Sequence, residues 1–86
     1  MENKVWVVFL EDVYNCCLEN RIIDIFYNEE SAKLRFNELV IKYRVDIDGK
    51  EDMIIESDDD TTFSAYEDGA DCENHLYIKV YQCEVK

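Results

Sequence analysis

Cys72 and His75 stand three positions apart, and His75 is the sole histidine in the chain. A thiol and an imidazole work as nucleophile and base only when they touch and a third group orients the base. Spacing in sequence supplies neither, so no catalytic residue is assigned to them. Paired carboxylates doing acid/base work need environments that push their pKa values apart. The acids here are crowded and polar in setting, which gives a diffuse effect instead. Asp46-Ile-Asp48-Gly49 resembles the opening of a calcium loop, but that loop needs glycine at its sixth position and glutamate at its twelfth. Those positions hold Glu51 and Ser57. Asp58-Asp59-Asp60 is suited to weak collection of divalent cations at most. Zinc asks for paired Cys/His spacings, and Cys72 with His75 is one isolated pair. The two glycines, Gly49 and Gly69, are too far apart for a phosphate-cradling loop. The expectation is a protein without catalytic residues, metal or cofactor.

The remaining chemistry is negative charge. Between residues 46 and 73 stand Asp46, Asp48, Glu51, Asp52, Glu56, Asp58, Asp59, Asp60, Glu67, Asp68, Asp71 and Glu73, opposed by Lys50 alone. That segment carries −11 of a net −12, while residues 1–45 carry −2 and residues 74–86 carry +1. Charge that serves solubility is spread over a surface. Concentrated charge makes a directed field that steers a basic partner. It also repels nucleic acid and anionic membranes, so direct binding to either is not expected.

Two uses fit such a segment: a solvated face that keeps a small domain dispersed, or mimicry of a nucleic-acid backbone. Same-face residues on a strand lie about 6.7 Å apart, so carboxylates on strands and tight turns can present negative charge at an interval comparable to phosphates. A channel that neutralises phosphates with Lys and Arg would accept them, and Arg–carboxylate contacts are often bidentate. Tyr66, with Tyr77 and Tyr81, would add rigid contact area. The expected partner-binding set is the twelve acids together with Tyr66.

Eighty-six residues make a single domain spanning 1–86. At 48% hydrophobic and 13% aromatic the chain can bury a core, and with no proline it favours continuous elements. Val5 to Leu10 is apolar on both alternations, which predicts a central strand buried on both faces. Residues 11–20 are polar and turn-forming and predict a long hairpin loop. Arg21 to Tyr27 is the second strand. Asn28 is a good N-cap, followed by Glu29 and Glu30 where the helix dipole favours them. The helix is expected from about Glu29 to Tyr43 or Arg44. Ala32, Phe36, Leu39, Val40 and Tyr43 form its core face. Leu34, Ile41 and Val45 form a narrower stripe nearly opposite, either incidental or a dimer or partner contact.

Gly49 marks a turn, Met53 to Glu56 a possible short strand, Asp58 to Asp60 a turn, and Thr61 to Tyr66 a strand. Leu76 to Val85 alternates most clearly, with Leu76, Ile78 and Val80 facing the helix and the Tyr77 and Tyr81 side amphipathic. The order β-β-α-(β)-β-β predicts an α+β fold, a mostly antiparallel sheet with one helix packed on one face.

The chain shows no basic n-region with a long apolar h-region, and Val5 to Leu10 is too short to span a bilayer. The expected location is the reducing cytoplasm. There Cys16, Cys17, Cys72 and Cys83 would stay as free thiols.

The stretch Phe63-Ser-Ala-Tyr-Glu-Asp-Gly-Ala-Asp-Cys-Glu-Asn-His75, followed by an alternating terminal strand, resembles the C-terminal hairpin of small proteins encoded in phages and mobile elements of Gram-positive bacteria. Lys4-Val-Trp-Val-Val8 and Asn28-Glu-Glu-Ser-Ala-Lys33 are similar to theirs as well. In size, acidity and single-domain build the chain also resembles anti-CRISPR proteins, several of which are DNA mimics. That resemblance implies a non-enzymatic inhibitor in the cytoplasm of a host bacterial cell, whose partner is a basic nucleic-acid-binding protein, a CRISPR effector nuclease, with type II first. The competing expectation is an interaction module or homodimer built on Leu34, Ile41 and Val45.

Overall fold

The computed structural model describes residues 4–14, 17–49, 53–67 and 74–84. Among these the chain forms strands β1 (Lys4–Tyr14) and β2 (Cys17–Phe26), helix α1 (Glu29–Asp48), and strands β3 (Met53–Asp58), β4 (Thr62–Glu67) and β5 (His75–Glu84). The strands make one antiparallel sheet in the order β2-β1-β5-β4-β3. This is the α+β arrangement expected, and the short strand at Met53 is present.

Helix α1 starts at the expected cap. Asn28 is extended, and its side-chain oxygen accepts the Ser31 N–H at 2.7 Å. Glu29 and Glu30 occupy the first turn, where the exposed N–H groups favour negative charge. The helix then runs to Asp48, beyond the expected end at Tyr43 or Arg44. The topology accounts for the extra turn. The chain leaves β2 at one edge of the sheet and must reach β3 at the other. Four inter-strand spacings cover about 19 Å, and a helix of this length covers about 30 Å, enough to cross the sheet obliquely. The added turn also buries Ile47.

The core lies between α1 and one sheet face. Ala32, Phe36, Leu39 and Ile47 of the helix pack with Val8 and Leu10 of β1, Phe63 and Ala65 of β4, and Leu76, Ile78 and Val80 of β5. Leu76, Ile78 and Val80 therefore face the helix, as their alternation predicts. Full burial of one such aliphatic side chain contributes about 1.5–3 kcal/mol.

Two expectations are corrected. Residues 11–20 do not form a long loop, because β1 continues to Tyr14 and β2 begins at Cys17. Cross-strand partners make the polar residues compatible with the ladder: Glu11 pairs with Arg21 and Asp12 with Asn20, before a bulge next to Val13. The second face of β1 is not covered by the helix either. Val7 is buried there by its neighbours, and Phe9 meets the Tyr77 ring edge-on at 6.2 Å. β1 is an interior strand as expected, with β2 on one side and β5 on the other.

Candidate functional site

The expected acids arise from three elements rather than one strand. Asp46 and Asp48 are exposed in the last turn of α1, which contains no basic residue. The carbonyl end of a helix carries about half a negative charge, so both carboxylates add to a field already negative. Gly49 closes that end with its N–H on the Ile47 and Val45 carbonyls.

The β3–β4 hairpin supplies the second group. Asp59 accepts from Thr62 N–H at 2.8 Å, Thr61 N–H at 2.9 Å and the Thr61 hydroxyl at 3.1 Å. The Thr61 and Thr62 amides, aided by the hydroxyl, hold its carboxyl below the usual aspartate range. Asp58 pairs with Arg44, whose guanidinium lies 5.3 Å from the Phe63 ring centre. Asp58 and Asp59 thus also build the fold. Asp60 is exposed at the turn, and Glu56 is exposed in a bulge between Ile55 and Ser57.

The third group surrounds a cleft of about 210 Å³ between the helix end and the sheet. Asp12, Asp46 and Glu67 line it together with Tyr43, Ile47 and Asn74. Glu67 accepts a hydrogen bond from the Asn74 amide. Glu51, Asp52, Asp68, Asp71 and Glu73 lie outside the described residues, as do Cys16 and Cys72.

Tyr66 belongs to the other sheet face. It is exposed, sits across from His75 and Ile54, and shares a shallow concavity with Glu11, Glu56, His75 and Tyr77. His75 contacts Glu11, its Nε2 being 3.1 Å from Oε1, while Arg21 donates to Oε2 at 3.1 Å. His75, then Arg21, hold the Glu11 carboxyl below the usual glutamate range. The sequence gives no local sign of this cluster, because its members come from β1, β2 and β5.

Leu34, Ile41 and Val45 are 62%, 68% and 70% exposed, so no neighbouring element covers the helix stripe. Cys17 and Cys83 are free and exposed. Among the described residues no helix is long and apolar enough to cross a membrane, and no group of three His, Cys, Asp or Glu side chains is placed to hold a metal.

Charge is balanced differently in the two halves of the sheet. Around β2 and the N-terminal half of α1, Glu11 pairs with Arg21, Glu29 with Lys33, and Asp24 and Glu38 with Arg35. Among the described residues, Asp58 alone of Asp46, Asp48, Glu56, Asp58, Asp59, Asp60 and Glu67 is paired with a base. No protein-family model, no curated protein and no solved structure matches this chain.

Proposed function

We propose that the chain is a non-catalytic inhibitor that occupies the basic nucleic-acid cleft of a partner protein. Its docking surface is the acidic side built from the end of α1 and the β3–β4 hairpin. The observation that carries this is the charge asymmetry. Near β2, Glu11, Asp24, Glu29 and Glu38 are paired with bases and Glu19 and Glu30 are not, whereas Asp46, Asp48, Glu56 and Asp60 are all exposed with no basic partner among the described residues. A cleft lined with Lys and Arg that neutralises phosphates would also attract such a surface, and added salt would weaken the contact.

The resemblance to anti-CRISPR proteins makes a CRISPR effector nuclease the first partner to test. The type II effector comes first because it reads its short recognition duplex with arginines. Occupying that cleft would stop target DNA from binding before any cleavage step. The test is an electrophoretic competition with effector, guide and labelled target DNA. Increasing amounts of the chain should displace DNA, with no complex containing both. A stable complex of effector, DNA and chain together would overturn the mechanism.

A second use of the molecule is favoured by the exposed stripe Leu34, Ile41 and Val45, which suits an apolar partner contact. Ile41→Asp would abolish binding by that route and leave charge-driven binding intact.

A further inference from the structure

We propose that the sheet face turned away from α1 is a self-association surface, and that its occupant is the same face of a second copy. Strand alternation places Ile23 and Ile25 of β2, Val7 and Phe9 of β1, and Tyr77 and Tyr81 of β5 side by side on it. No described element covers them, and Ile23 and Ile25 are 58% and 62% exposed. Beyond them the same face turns polar, through Lys79, Thr62, Ser64 and His75, before Tyr66 and Ile54 at the far edge, both exposed.

Area and charge favour a second copy as the occupant. Five strands spaced at about 4.8 Å, with a rise of about 3.3 Å per residue, give a face of about 600 Å². That reaches the lower end of what specific interfaces bury per partner, about 600–800 Å². In charge, Glu11 stands within this face between Arg21 and Tyr77, Lys79 lies opposite Phe9 and Glu56 lies toward the far edge, so two acids meet two bases within a chain of net −12. Two copies meeting through the end of α1 would bring Asp46 and Asp48 together, whereas this face carries as many bases as acids, with Glu56 toward its far edge. A balanced face rich in isoleucine and tyrosine is complementary to itself, as a two-fold interface requires. The sheets would stack about 10 Å apart with strands roughly aligned. This inference shares Glu56 with the acidic side and does not rest on any inhibitor role.

The test is sedimentation equilibrium of the full chain over a range of concentrations, at low and high salt. The expected result is a monomer–dimer equilibrium that tightens as salt rises, because salt screens the net repulsion and spares the apolar contact. Ile23→Glu or Ile25→Glu should weaken dimerisation by about a hundredfold, since a two-fold interface loses each side chain twice. Ile41→Asp, on the helix, should leave it unchanged. If the glutamate variants do not fold, isotope-filtered NOEs on mixed-labelled wild type decide. Contacts between the Ile23 or Ile25 methyls of one copy and rings of the other support the dimer. A chain that stays monomeric, or a dimer broken by Ile41→Asp and not by the sheet variants, would overturn the proposal.

Discussion

Glu11 and His75 are 64 positions apart, yet the Glu11 Oε1 lies 3.1 Å from the His75 Nε2. β1 brings this about by lying between β2 and β5, which sets Glu11 opposite Arg21 on one side and near the start of β5 on the other. The contacts from His75, and then Arg21, depress the Glu11 carboxyl. A depressed carboxyl stabilises the fold above its unfolded pKa, and that contribution is lost as pH falls through the folded value. Carbon-detected NMR should show Glu11 titrating below the ordinary glutamate value. His75→Ala should raise the midpoint most, and Arg21→Ala less. An unchanged midpoint in both variants would mean that the contacts do not persist in solution.

Asp59 is expected to act in the hairpin through hydrogen bonding rather than through charge toward a partner. Its oxygen holds the Thr61 and Thr62 amides. Asp59→Ala should speed hydrogen exchange at both amides and lower the thermal midpoint, while Asp59→Asn should retain most of the protection. Lowering the pH through the depressed Asp59 value should weaken the same turn. Equal exchange in all three proteins would contradict this role.

Ile47 is 5% exposed and belongs to the core although it lies past the end expected for the helix. Ile47→Ala should cost about 2–5 kcal/mol in urea unfolding, the range for a buried aliphatic truncation. A loss under about 1 kcal/mol, typical of an exposed site, would mean that the last helical turn does not pack on the sheet.

Asp46 and Asp48 oppose the helix dipole at its carbonyl end. Asp46→Asn and Asp48→Asn should therefore each stabilise the fold, by about 0.3–1 kcal/mol at low salt. The gain should shrink as salt is added. Destabilisation by either change would show that the carboxylate has a structural partner.

Local signals in the chain were enough for much of this fold. The Asn28 cap, the spacing of Ala32, Phe36 and Leu39, and the alternation of Leu76, Ile78 and Val80 each report a short-range periodicity. Tertiary structure decided the remainder. Glu11 and Asp12 read as loop because their strand conformation depends on Arg21 and Asn20 across the ladder. Asp46 and Asp48 read as a post-helical segment because acids disfavour a helix C-terminus; burial of Ile47 and the crossing from β2 to β3 override that preference. The Glu11–His75–Arg21 cluster depends on strand order, which no local pattern encodes. The uncovered sheet face had a visible trace in Arg21-Ile-Ile-Asp-Ile-Phe26, which is apolar on both alternations.

The acidic side is tested most directly by calorimetric titration of the chain into a purified type II effector across a salt series. A variant carrying Asp46→Asn, Asp48→Asn, Glu56→Gln and Asp60→Asn should be run in parallel. Wild type should bind with a log Kd that climbs steeply with log salt, and the variant should bind more weakly with a shallower slope. Identical affinity and slope in the two proteins, or binding indifferent to salt, would contradict docking through these carboxylates.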